Sequence, residues 1–222
     1  MFGPITRFGA ISAARRAVPR PSRPHLVAAV GGGVLLALGV RGILAADLGV
    51  APMDVFLVAV SERSGVGIGV VALGLQVVLL SIATALGRPP RTSTWIFAVS
   101  SGVTLELTAG LLGSAGGWLT GAALWTAGFA LMVIAIAVLV VGTDAGGSFE
   151  LLSLAAADRG LPAVPVRTAL ELGFVALGVA LGGPLGVGTA AFALGVGPAV
   201  DGACRLLVRV VTDRERRRVA AS

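Results

Sequence analysis

The chain alternates long apolar runs with short polar or glycine-rich breaks. Each long run holds about 20 residues, enough to cross roughly 30 Å of hydrocarbon; the runs cover about 26–46, 66–86, 94–112, 118–141, 163–181 and 188–211. Two further apolar stretches, 53–60 and 149–157, are too short to cross. The pattern predicts an all-α polytopic membrane protein of about six transmembrane helices, with two short re-entrant or interfacial half-helices.

The two short stretches belong to an internal repeat. They align at a spacing of 96 residues, and after a one-residue adjustment the match continues through the next spans; the matched pairs are Asp54 with Glu150, Glu62 with Asp158, Arg63 with Arg159, Phe97 with Phe192, and Glu106 with Asp201. Because each half crosses three times, the second copy is inverted relative to the first. Inverted 3+3 repeats with broken helices are typical of transporters, although duplication in a protein that transports nothing would leave the same pattern.

Composition and charge agree with a membrane chain. Charged residues make up 13% of the sequence, about half the share in soluble domains. All 17 basic residues are arginine, and 15 of them fall on one side if the N-terminus is cytoplasmic. This bias predicts a bacterial inner-membrane protein with both termini inside and arginine-rich ends near anionic lipid. Nucleic-acid binding is not expected, since no folded basic domain with interleaved aromatics is present.

The repeat and the charge pattern together divide the chain into four parts. An arginine-rich cytoplasmic segment covers 1–24, the first membrane repeat 25–113, the second repeat 114–211, and a basic cytoplasmic tail 212–222. The first apolar run is expected to stay in the mature protein, because no small-residue cleavage site clearly follows it.

Several motifs resemble those of bacterial YczE/YitT-type integral membrane proteins, a largely uncharacterised family. The segment Ala46–Val55 resembles the hallmark of that family, as do 182–189, 195–198, and Arg167 followed by Glu171. The sequence departs from the pattern at Met53, where an aromatic residue is more usual, and at 143–150. The resemblance covers about 26–207 and implies a multi-pass architecture rather than a particular activity.

Asp54 and Glu150 are the leading candidates for a binding site or an ion pathway. Each lies in the first turn of a predicted half-helix, where the helix dipole stabilises a carboxylate. The breaks before them contain Gly49 and Gly146 and expose backbone groups that only a protein-lined or watery cavity tolerates. A cation or proton site, or hydrogen bonding to a polar substrate, is one interpretation. The other is that each acid caps its own helix.

Two more charged residues fall inside predicted spans. Glu106 lies deep in the third span and is expected to be protonated, paired with Arg41, or facing a polar cavity. Arg41 lies near the outer end of the first span and has Asp47, Glu106 or a substrate anion as candidate partners. Snorkelling to the interface is the simpler interpretation of Arg41.

Two pairs of opposite charge recur at a spacing of four residues. Arg167 with Glu171, and Asp201 with Arg205, each lie on one helix face. Structural ion pairs near the cytoplasmic interface are expected, and gating by such pairs stays open.

The sequence carries no recognisable catalytic, metal or cofactor motif. One histidine and one cysteine are too few for a zinc cluster or a Ser–His–acid constellation, so no enzyme activity is expected. The preferred hypothesis is a secondary transporter or permease for an ion or small solute. The alternative is a non-transporting membrane scaffold or regulator of a partner protein, and a homo-oligomer also stays open.

Overall fold

Eight helices are formed by the residues that the computed structural model describes. These residues are 23–143 and 146–220, with the side chains of 213–220 excluded. The helices are α1 (Arg23–Ala46), α2 (Pro52–Ser64), α3 (Ile68–Ala85), α4 (Thr92–Leu107), α5 (Trp118–Thr143), α6 (Ser148–Ala157), α7 (Ala163–Ala180) and α8 (Val187–Ala220). The arginines before residue 23, Asp144, and the arginine side chains after residue 212 lie outside this description.

The chain is an all-helical polytopic membrane protein. Five helices are long and apolar enough to cross a membrane, namely α1, α3, α5, α7 and the 187–212 part of α8. The predicted third crossing is shorter than expected, because α4 ends at Leu107 rather than near Leu112 and Gly110 then adopts a positive φ of 79°. Its 16 residues span about 24 Å. Even so, α4 runs from the end of the bundle where Thr94 meets Gly146 to the end where Glu106 meets Gly69.

The centre of the bundle is an antiparallel contact between α1 and α5. Gly39 and Gly128 face each other, so that a methyl group on either would lie within 2.7 Å of the carbonyl oxygen of the other. Further along, Gly142 approaches Ala28, and Gly121 approaches Ala46. Residue numbers therefore rise along α1 as they fall along α5. Since these are the first helices of the two repeats, this contact supports the inverted relation between the halves.

The backbone repeats itself at the predicted spacing. The half-helices begin at Pro52 and Ser148, 96 residues apart. The glycines that end corresponding helices have matching positive φ angles at a spacing of 95, with 70° at Gly65 and 81° at Gly160, and 81° at Gly87 and 83° at Gly182. A positive φ favours glycine over residues with a side chain, so these breaks are fixed by sequence in both halves.

Each half-helix packs against a helix of the other repeat as well as against its own repeat. The α2 helix packs on α7, and its counterpart α6 packs on α3. Arg63, at the end of α2, donates a hydrogen bond of 2.7 Å to the Leu181 carbonyl beyond α7. Arg159, beyond α6, donates one of 2.7 Å to the Leu86 carbonyl beyond α3. These reciprocal bonds join equivalent residues across the two halves.

One contact breaks the symmetry. Within the first repeat α3 packs against α4, whereas the equivalent helices α7 and α8 make at most a marginal contact. The second repeat is also the less buried one: in the most apolar window of each helix, 33% of α5 is buried against 44% of its counterpart α1, and 6% of α7 against 22% of its counterpart α3. The two equivalent acids, Asp54 and Glu150, therefore lie in differently enclosed surroundings.

The last helix continues beyond its predicted span. The apolar run ends near Val211, but α8 extends to Ala220 and so includes most of the basic tail. The apolar run ends near Val211 because charged residues follow it. The helix continues because Arg and Glu are good helix formers.

Candidate functional site

Asp54 is the most deeply buried charged side chain that the structure describes. It lies in the first turn of α2, after Pro52 at the helix start, where proline loses nothing by lacking an N–H. Only 3% of the residue is exposed. Its Oδ2 atom is buried and has no hydrogen-bond partner within the described part of the chain. A buried polar atom without a partner is rare in folded proteins.

The carboxylate of Asp54 borders a cavity of about 40 Å³ between four helices. Most of the wall is apolar, and its polar members are Asp54, Gln76 on α3 and Ser101 on α4; the apolar members are Leu36, Ala37, Val40, Met53, Leu57, Ala72, Ala98, Gly102 and Leu105. Leu36 and Gln76 lie near the middles of α1 and α3. Asp54 therefore faces the half-way level of the bundle, where a polar group has least access to water.

Glu106 has a structural partner that the sequence did not reveal. Its carboxylate accepts a hydrogen bond of 3.0 Å from the Gly69 N–H and fills the space beside Gly67, which precedes α3. It therefore caps the N-terminus of α3, where a negative charge is favourable. This contact explains a glutamate inside an apolar span without a ligand.

Arg41 is held at the C-terminal end of α4. It donates a hydrogen bond to the Leu105 carbonyl, and the charge of Glu106 acts on it. A cation near the last carbonyls of a helix is stabilised by the helix dipole. Its Nε is buried without a hydrogen-bond partner among the described residues, but the wall of the Asp54 cavity does not include Arg41.

The break before Asp54 is seated on the second repeat. Gly49 has a positive φ of 101°, and its carbonyl accepts a hydrogen bond of 3.3 Å from Trp125 Nε1. The neighbouring Leu48 carbonyl accepts one of 2.7 Å from the Gly188 N–H. These contacts hold the segment before α2 in place and orient Asp54 inward.

Glu150 lies at the equivalent place in the second repeat but in different surroundings. It is half-buried, and its carboxylate lies next to Gly146. The positive charge of Arg167 acts on it. The Gly146 carbonyl accepts a hydrogen bond of 3.2 Å from Thr94, so this break also rests on the opposite repeat.

The two pairs at a spacing of four are present as ion pairs. Arg167 Nε lies 3.0 Å from Glu171, and Arg205 lies 2.9 Å from Asp201. Side-chain exposure in these pairs ranges from 32% to 68%, and exposed pairs contribute about 0–1 kcal/mol. Neither pair encloses a cavity with Asp54, so the structure does not bring them into one site with it.

A further ion pair joins the loops on the cytoplasmic side predicted from the arginine count. Arg88, between α3 and α4, bonds to both carboxylate oxygens of Asp158, and one of these bonds measures 2.6 Å. Hydrogen bonding to Asp158 raises the pKa of Arg88. The contact shows that the α3–α4 and α6–α7 loops meet at one end of the bundle.

Sequence reasoning missed the two neutral polar residues of the cavity. Gln76 is the only glutamine in the chain and lies amid apolar residues, which was a usable signal. Ser101 is less conspicuous, because serine is common in membrane helices, where its hydroxyl can bond to its own backbone. The Ser101 hydroxyl does so here, donating 3.0 Å to the Ala98 carbonyl.

The polar groups of the cavity can together accept a proton, coordinate a cation through oxygen, or bond to a small polar donor.

No curated protein and no solved structure matches the chain. Residues 23–205 match the family described as "Family of unknown function (DUF6198)". The matched range runs from the first residue of α1 to Arg205 in α8 and contains every candidate residue discussed above. The chain therefore belongs to the DUF6198 family.

Proposed function

We propose that this protein is a secondary transporter or permease for an ion or small solute in a bacterial inner membrane. One observation carries the proposal: Asp54 has an unbonded carboxylate oxygen beside a cavity at the half-way level of the bundle. An ionisable group at such a level is costly and is retained where it serves a ligand or proton. Inverted repeats with half-helices bind their ligands at this level.

The size and lining of the cavity limit what it binds. A volume of about 40 Å³ admits on the order of two waters or one small ion. A larger solute would need the surrounding helices to move apart.

The arrangement of basic residues supports cytoplasmic termini. Arg88 and Arg159 both bond across the same pair of loops, so these arginines share one side of the membrane. That side is the cytoplasmic one under the positive-inside rule. The further relation to YczE/YitT-type proteins is part of the proposal and rests on motifs of both repeats, Ala46–Val55 in the first and 182–189, 195–198 and Arg167 with Glu171 in the second.

The proposal is tested by recording transport currents. Purified protein is reconstituted into liposomes on a solid-supported membrane and exposed to jumps of H⁺, Na⁺, K⁺, amino acids and organic acids. We expect at least one jump to give a current that Asp54→Asn abolishes. Glu62→Gln is the matched control, because Glu62 is an exposed acid on the same helix, and it should retain the current.

Correctly folded Asp54→Asn protein that retains every wild-type current would refute the assignment of Asp54. If folded wild-type protein gives no current with any solute, the scaffold alternative replaces the transport proposal. In that case a protein partner should co-purify stoichiometrically with the tagged protein in mild detergent, when the tagged protein is expressed at its native level.

A further inference from the structure

The two repeats carry different residues near their equivalent acids, Asp54 and Glu150. Position 72, which borders Asp54 in the first repeat, is alanine, and the equivalent position in the second repeat is Arg167. Arg167 acts electrostatically on Glu150. The second-repeat acid therefore has a positive charge built into the chain, and the first-repeat acid has none at the equivalent position.

The net charge around the two acids is nevertheless the same. One cluster consists of Asp54, Ala72 and Gln76, and the equivalent cluster of Glu150, Arg167 and Glu171. Arg167 also pairs with Glu171, which is equivalent to Gln76, so each cluster carries one net negative charge. In the second repeat that charge is shared among half-buried and exposed groups. In the first it rests on one carboxylate that is 3% exposed. An isolated buried carboxylate is strongly unfavourable unless it is neutralised.

None of the described charged side chains on neighbouring helices forms an ion pair with Asp54. The helices packed around α2 and its cavity carry several of them: Arg41 on α1, Glu106 on α4, Arg167 and Glu171 on α7, and Asp201 and Arg205 on α8. In the described part of the chain, the buried Asp54 Oδ2 atom has no hydrogen-bond partner. A bound cation would supply the charge that no described side chain provides.

We propose that the Asp54 cavity is a binding site for one monovalent cation, which supplies there the positive charge that Arg167 supplies in the second repeat. The Asp54 Oδ2, the Gln76 amide and the Ser101 hydroxyl supply oxygen atoms, the donors that hard cations prefer. An alkali-metal ion or a proton provides the same single charge. The proposal deepens the proposed function by naming its coupling ion, and it rests on the same site.

The test measures cation binding by thermal stability, without transport. Purified protein in mild detergent is melted in choline chloride with Na⁺, Li⁺ or K⁺ added, and separately in choline alone from mildly acidic to mildly alkaline pH. A hundredfold excess of a bound ion over its Kd should raise Tm by about 5–10 °C. If the site binds a metal ion, Tm rises when that ion is added in the first arm. If it binds a proton, Tm falls as the pH rises in the second arm, because the proton is released.

Two variants make the result specific to the site. Asp54→Asn removes the charge and should melt at the cation-saturated wild-type temperature in choline alone, with no response in either arm. Ala72→Arg supplies a tethered charge like Arg167 and should also lose the response while keeping Asp54. Glu62→Gln should respond as wild type does.

A wild-type response in neither arm would overturn the cation site, as would a response that survives both Asp54→Asn and Ala72→Arg. If Asp54→Asn does not fold, Ala72→Arg alone decides by the same criterion. Cation binding without any transport current would sink the proposed function and leave this inference standing. Transport currents without any dependence on a cation would overturn this inference and leave the proposed function standing.

Discussion

Replacing Gly39 by alanine should destabilise the bundle, although alanine favours a helix more than glycine does. A methyl group at Gly39 would lie 2.7 Å from the Gly128 carbonyl oxygen and 2.9 Å from the Met132 backbone nitrogen. Ordinary contacts need about 3.5–4.0 Å. Because both neighbours are backbone atoms, neither can rotate away. The axes of α1 and α5 must separate by on the order of 1 Å.

The magnitude follows from the lost contacts. A gap of about 0.5–1 Å forfeits a quarter to a half of a well of about 0.1–0.2 kcal/mol for each atom pair. With on the order of 50 pairs at the crossing, as for one large buried side chain, the middle of these ranges gives a loss of about 2–3 kcal/mol. The gain in helix propensity offsets about 1 kcal/mol. The free energy of unfolding should therefore fall by about 1–2 kcal/mol.

The matched control is Gly31→Ala in the same helix. A methyl group at Gly31 meets nothing within 4 Å, so this variant has the propensity gain alone. Thermal unfolding in mild detergent, followed by tryptophan fluorescence, should show Gly39→Ala melting about 2–8 °C below wild type. Gly31→Ala should melt no lower than wild type. Equal stability of the two variants would refute the close approach of α1 to α5.

Three other contacts give measurable expectations. Glu106→Ala removes the cap on α3 and should cost about 1 kcal/mol in detergent unfolding, whereas Glu106→Gln keeps an acceptor oxygen and should cost less; equal losses would contradict capping. Arg63→Ala and Arg159→Ala should each cost about 1 kcal/mol, and the double variant should show their sum within about 0.5 kcal/mol, because the two bonds share no partner. Asp158→Asn removes an exposed ion pair and should cost about 0.2–1 kcal/mol at low salt and less at high salt; a loss that is independent of salt would count against that pair.

Much of the fold was predictable because lipid imposes simple rules. A crossing needs a long apolar run, and three crossings per repeat invert the second copy. The ends of α4 and α8 were less predictable. Hydropathy records that Leu111 and Leu112 are apolar, but the helix has already ended before Gly110, where φ is positive. At the C-terminus the reverse holds, since α8 continues after its apolar run ends.

The candidate site was predictable only in part. The position of Asp54 in a first turn and its match to Glu150 are visible along the chain. The contact that caps α3 joins residues 37 positions apart, so no local pattern shows that Glu106 serves a helix end. The wall around Asp54 likewise combines four helices, and the enclosure that distinguishes Asp54 from Glu150 arises only from their packing.

The reciprocal docking of the half-helices has a consequence for synthesis. The partner of α6 is α3, which is already made when α6 leaves the ribosome. The partner of α2 is α7, and Arg63 bonds to a carbonyl 118 residues further along the chain. At about 5–20 residues per second, α2 waits roughly 6–24 s for that surface. Two docking contacts that are equivalent in the finished protein thus form on different schedules, and α2 is without its partner helix for the whole of that interval.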